Sequence, residues 1–166
     1  MEKCPAAFIC CAYCSQMRER FALDTLDGHN GVTALVPMKL KKEKHSGQWE
    51  TRTKRLLPGY IFIYADREED ILCASREAQV RLLRYSEGDF VLKDSDDRFA
   101  RWIWEHNGVV DLSTVARVGE EIKIIDGPLA DFKGIVTDID KRRQLMKVKL
   151  EMTEFQVWLS FDWTTA

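Results

Sequence analysis

No apolar run in this 166-residue chain approaches the ~20 residues that a membrane-spanning helix requires, so no helical span is expected. The amino terminus, M-E-K-C-P-A-A-F-I-C-C-A-Y-C, lacks the makings of a secretory signal. Its apolar run before Ser15 is short and poorly flanked. The expected setting is therefore cytoplasmic, away from any membrane. Charge of one sign is not in excess either: the formal net charge is −2, which argues against indiscriminate nucleic-acid binding by the whole chain. Internal repeats and low-complexity segments are missing. So are a carboxylate pair, a nucleophile-base set, a metal quartet and a phosphate-cradling glycine loop, and no enzyme is expected.

Histidine is scarce, and His29, His45 and His106 are scattered without ligand spacing. Cysteine is odd in number: Cys4, Cys10, Cys11, Cys14 and Cys73 do not suggest a disulfide framework. Cys11-x-x-Cys14, with Cys4 and Cys10 nearby, has a spacing known from zinc and redox sites. Yet F-I-C-C-A-Y-C reads as a buried strand, where cysteine is a small hydrophobe. No metal and no cofactor are expected.

What is present is a globular composition, 45% hydrophobic and 31% charged, in a chain long enough for one domain or two small ones. Charge is concentrated between Lys39 and Arg55. There Lys39, Lys41, Lys42, Lys44, Arg52, Lys54 and Arg55 face only Glu43 and Glu50. His45-Ser46-Gly47 is turn-like, so the two legs read as a basic hairpin. Such a run is a solvated arm in the bland reading. In the functional one it meets phosphates of DNA or RNA, with Arg18 and Arg20 extending the surface.

Before the hairpin, Phe8 to Cys14 reads as a strand. Ser15 then caps a helix that Gly28 ends, with Met17, Phe21 and Leu26, and Ala22 and Leu23 beside them, on its apolar face, and Val32 to Met38 is a strand. After it come Ile61 to Tyr64 as a strongly β-prone strand, a helix over 67–74, a strand over 80–85, and a helix over 96–107 capped by Ser95 with Phe99 and Ile103 on one face. The polar stretch 111–117 is the best linker candidate. Beyond it the pattern is wholly β, over 121–125, 134–139, 145–150 and 155–159, which suits a small SH3-like barrel. Within it, Asp126-Gly127-Pro128 ends a strand by turn chemistry, and a short loop leads to Gly134 at the mouth of the next.

The stretch Val118 to Val136, V-G-E-E-I-K-I-I-D-G-P-L-A-D-F-K-G-I-V, resembles the KOW motif of transcription elongation and ribosomal proteins. Leu57-Pro58-Gly59-Tyr60-Ile61-Phe62 and the strand-ending Tyr13-Cys14 resemble anchors of the NGN domain. In that order the whole chain is similar to the NusG family, including its operon-specialised relatives RfaH and LoaP.

The resemblance implies an α+β protein: an NGN-type α/β sandwich, an antiparallel sheet flanked by helices, over 1–112, then a linker at 113–117 and a KOW barrel at 118–166. It implies a monomeric, non-catalytic elongation or antitermination factor that suppresses pausing or termination. Tyr13, Leu57, Tyr60 and Leu82 would line an apolar concavity for the clamp of RNA polymerase's largest subunit. Leucines at 57 and 82 serve equally well as core. Leu129 and Phe132 would meet a ribosomal protein or the termination factor Rho, with Phe132 alternatively plugging the barrel.

Where housekeeping members carry an aromatic-glycine turn, this chain has Glu151-Met152-Thr153, which favours a specialised paralog acting at particular operons. The alternatives are a general housekeeping factor and an RNA-binding module that reads a structured leader. Alternating Ile, Val, Phe and Trp over 121–159 disfavours a helical form of the barrel, which is expected to hang on a flexible linker.

Overall fold

The computed structural model describes residues 2–130, 136–149 and 156–164. Packing divides the chain into two units, Met1–Pro37 with Leu57–Gly108, and Met38–Leu56 with Val109–Ala166.

The first unit is built on strands β1 (Phe8–Tyr13), β2 (Val32–Leu35), β5 (Tyr60–Ala65) and β6 (Arg81–Leu82). They lie in the order β2-β5-β1-β6, and every neighbour is antiparallel. The central pair carries almost no polar side chain, as expected of strands covered on both faces. One face, bearing Cys10, Ala12, Ile61, Ile63 and Ala65, packs with Ala22 and Leu26 of α1 (Glu19–Asp27) and with Ile71, Ala74 and Ala78 of α2 (Glu68–Ala78). On the other face Phe62 and Tyr64 meet α3 (Asp94–Glu105): Phe62 stacks edge-on against Phe99 at 6.2 Å, and Tyr64 donates its hydroxyl to the Ala100 carbonyl at 2.7 Å. This is the expected antiparallel sheet flanked by helices.

Several local expectations change. Ser15 makes no side-chain cap; a 3-10 turn, Gln16–Arg18, precedes α1. Met17 is 98% and Phe21 51% exposed, because the buried stripe runs through Ala22 and Leu26, which are one helical turn apart. The helix α2 continues four residues beyond 74, and the strand over 80–85 shrinks to two residues. Cys10 and Cys11 are both buried but point to opposite faces of β1, so they cannot share one ion. Burial pushes both thiols up in pKa, Cys10 with a lesser push from Cys11 and Cys11 with one from Asp96.

The second unit joins the hairpin β3 (Met38–His45) and β4 (Gln48–Arg55) to β7 (Val109–Val110), and carries a five-stranded sheet. That sheet contains β8 (Ser113–Val118), β9 (Glu121–Asp126), β10 (Val136–Asp140), β11 (Leu145–Lys149) and β12 (Gln156–Thr164), in the order β10-β11-β12-β8-β9. The expected linker, 113–117, is strand β8. It pairs in parallel with β12 and antiparallel with β9, its Val115 and Ala116 wholly buried. Short polar side chains at 113 and 114 disguise a core strand. The described residues between 121 and 159 that were expected to be β are β, in keeping with their alternation.

Candidate functional site

Two clusters merit description, one in each unit. The first begins with the turn Leu57-Pro58-Gly59-Tyr60. The Tyr60 amide donates to the Leu57 carbonyl at 3.1 Å, with proline second and a glycine at φ +89° third. A Cβ on Gly59 would stand 2.8 Å from Cε2 of Tyr13, so glycine is what lets the Tyr13 ring lie over the turn. The Cys14 amide donates to the Gly59 carbonyl at 2.8 Å and fixes β1 to the same turn.

Tyr13 sits opposite Tyr60 on one side and Arg81 on the other. The three side chains therefore share one face at the end of the sheet. The Tyr13 and Tyr60 rings meet edge-on at 5.5 Å, and the Arg81 guanidinium lies 5.3 Å from the Tyr13 ring centroid. Tyr13 remains 39% exposed. Burial raises the Tyr60 phenol above its usual pKa, with Arg81 opposing, so this hydroxyl is a neutral donor at physiological pH.

The other two residues expected in this concavity differ from Tyr13 in exposure or in the face they occupy. Leu57 is only 3% exposed. Leu82 pairs with Ala12, whose face carries the α1–α2 core, and packs against that core with its back to Tyr13. Period-2 alternation separates positions 81 and 82 and explains why the sequence reading overlooked Arg81.

The second cluster is the basic hairpin. Register places Lys39 opposite Lys54, Lys41 opposite Arg52, and Glu43 opposite Glu50. One face thus carries two like-charged cationic pairs beneath an acidic pair. Lys41 bonds Glu43 at 3.0 Å and Arg52 bonds Glu50 at 3.1 Å along their own strands. All of β4 is exposed. Lys39 and Lys42 are committed within the unit: Lys39 Nζ donates to the Trp158 carbonyl at 2.7 Å, and burial lowers its pKa, as does Lys41 to a smaller degree. Lys42 Nζ pairs with Asp162, donates to Gln144 at 2.9 Å and sits 5.2 Å from the Trp49 ring centroid. Its amide donates to Ser160 Oγ at 3.1 Å.

Lys44, Lys54 and Arg55 are exposed. In the other unit, Arg18 donates to Gln79 at 2.8 Å and lies over Phe21, while Arg20 is exposed on α1.

The candidate partner loop of the second unit turns at Gly127, φ +94°, where a Cβ would approach Ser113 Cα to 2.7 Å. Ser113 Oγ accepts the Leu129 amide at 2.8 Å, and Leu129 is 1% exposed. Leu129 is thus core rather than a partner contact. Phe132, Gly134 and Glu151-Met152-Thr153 lie outside the described residues.

These features define a two-unit protein: an aromatic corner on an antiparallel sheet, and a charged ribbon fixed to an all-β unit. Comparison with known families agrees. The model described as transcription termination factor nusG matches residues 11–88, and that of the KOW motif matches 118–149. The transcription termination/antitermination protein NusG of Pseudomonas aeruginosa is 23% identical over 119 residues, covering 69% of this chain and 67% of that protein. Its counterparts in Pasteurella multocida and Vibrio vulnificus are each 22% identical over 141 residues, covering 82% of this chain and 76% of theirs. The chain belongs to the NusG family, whose members are non-enzymatic transcription factors.

Proposed function

We propose that this chain is a transcription termination/antitermination factor that binds RNA polymerase through the corner formed by Tyr13, Tyr60 and Arg81, and that it suppresses pausing or termination at particular operons. The observation that carries this reading is the exposed Tyr13 ring, held between Tyr60 and Arg81 over a turn that only glycine permits. Aromatic rings with a guanidinium beside them are what interface hot spots are made of. They offer large apolar area at low entropy cost and a fixed donor at the edge. The matching clamp element would bring an apolar side chain to the rings.

The test is capture of bacterial core RNA polymerase by the intact protein and by a Tyr13→Ala/Tyr60→Ala double variant whose circular dichroism is unchanged. Capture lost in the folded variant supports the reading. Equal capture by both proteins removes this corner from the interface.

The hairpin supports a second contact. Like charges directly opposite across a ribbon repel, and a nearby polyanion relieves that repulsion. Lys41, Arg52 and Lys54 are accordingly the residues assigned to phosphates of upstream DNA or nascent RNA. Lys39 and Lys42, whose heads are taken up inside the unit, contribute less. A few such contacts assist a factor already held by protein.

A further inference from the structure

We propose that His29, Cys73 and Glu77 form a binding site for a thiophilic divalent transition-metal ion of the zinc type. A ring nitrogen of His29, Sγ of Cys73 and a carboxylate oxygen of Glu77 lie within 4.8 Å of one another. Tetrahedral zinc with bonds of about 2.0–2.3 Å places its donors about 3.3–3.8 Å apart, so modest rotation of these side chains closes the shell.

The donors come from formed elements. Cys73 and Glu77 are four residues apart on α2, hence on one face, with Sγ 3.9 Å from Glu77 Oε1. His29 sits in the connection from α1 to β2. Its amide donates to the Leu26 carbonyl at 3.1 Å and its carbonyl accepts from Val32 at 3.2 Å, so its backbone is held at both ends. One turn earlier on α2, Asp70 Oδ2 comes within 3.4 Å of where a Gly31 Cβ would stand, so the same connection lies along this helix. Nδ1 of His29 is 3.3 Å from the Asn30 carbonyl. A proton held there leaves the other ring nitrogen with its lone pair, the arrangement that metal-binding histidines use.

The donor set selects the ion. Thiolate, imidazole and carboxylate together suit zinc or cobalt, and suit magnesium or calcium poorly. A thiolate beside a carboxylate is also an arrangement that a cation stabilises and that repels itself without one. Cys73 and Glu77 are exposed and His29 half-buried, which leaves a fourth position for water. Metal here would staple the α1–β2 connection to α2. The three donors are too far apart in sequence for ligand spacing to show, since 43 residues lie between His29 and Cys73.

The test uses the full chain titrated with Co2+ and followed by the near-ultraviolet thiolate-to-cobalt charge-transfer band, with Zn2+ and Mg2+ as competitors. The expected result is one band-forming equivalent, displaced by Zn2+ and untouched by excess Mg2+. Cys73→Ser should abolish the band. His29→Ala and Glu77→Gln should each weaken binding at least about tenfold, a loss seen even for residues that merely support a ligand. Cys4→Ser, at the other cysteine outside the core, should change nothing. All four positions are at least partly exposed, so the variants retain the fold, which circular dichroism checks. No band in the unaltered chain, or a band that survives Cys73→Ser, overturns the site. Zn2+ should also slow alkylation of Cys73 by iodoacetamide; an unchanged rate counts against it.

Discussion

Single residues in this chain are most informative where space is shortest. Gly59 combines a φ of +89° with a Cβ position 2.8 Å from the Tyr13 ring. Gly59→Ala is expected to cost about 1–2 kcal/mol in backbone strain alone, read from urea unfolding, and to weaken polymerase capture because the Tyr13 ring must move. Capture that stays at full strength despite the lost stability would separate the turn from the interface. The buried cysteines make a second case. Because burial raises the Cys10 and Cys11 thiols above the ordinary 9.0, the unfolded chain releases those protons first. Stability is then fully present below pH 9 and falls as pH rises beyond it; Tyr64, likewise raised by burial, adds the same slope from 10.0. At pH 8 iodoacetamide should modify exposed Cys73 quickly and Cys10 and Cys11 only on unfolding, as mass spectrometry would show. The need for glycine at 127 and the burial of F-I-C-C were legible in the sequence, since turn chemistry and apolar runs are local; the need at 59 was not, because it comes from the Tyr13 ring across the sheet. The faces of Leu57, Leu82 and Leu129 were not. Leucine suits core and interface alike, and only the register of β6 on β1 shows that Leu82 faces the core while Arg81 faces the aromatic corner.

At the scale of elements, the basic hairpin was readable as a hairpin from its turn and its two legs, but its attachment was not. Lys39 and Lys42 look like solvated lysines until β12 supplies the Trp158 carbonyl, Ser160 and Asp162. Those partners lie more than a hundred residues along the chain, beyond the reach of any local pattern. The consequence is a division of labour along β3. Lys42→Ala should destabilise the unit by roughly 1 kcal/mol, the usual worth of a partly exposed ion pair and its accompanying hydrogen bond. It should leave the salt dependence of nucleic-acid association nearly unchanged. Lys41→Ala with Arg52→Ala should do the reverse, lowering the slope of log affinity against log salt by about 2 with little change in unfolding midpoint. Filter binding to single-stranded RNA and to duplex DNA over a salt series measures both. If Lys42→Ala reduces the slope as strongly as the pair, the assignment of roles along β3 is wrong.

Across the whole molecule, both units are assembled from pieces that are not contiguous in sequence. The chain leaves the first unit at Pro37, returns at Leu57 and leaves again at Gly108. A reading along the sequence naturally cuts once, near 113–117, because composition there is polar and the strands after it are plainly β. What the cut misses is that β8 is a central strand with partners on both sides, and that β3 and β7 pair in parallel across the 70 residues between Met38 and Val109. Parallel pairing leaves no hairpin turn to betray it. If the second unit is a single cooperative body, the hairpin is part of its stability and not an appendage. Replacing Met38–Leu56 by a short Gly-Ser loop should then speed amide exchange in β12, around Trp158 and Ser160, while Ile9 and Ile63 in the first unit keep their protection. Unchanged protection of β12 would mean that the five-stranded sheet folds without the hairpin, and that the lysine contacts merely orient the charged ribbon.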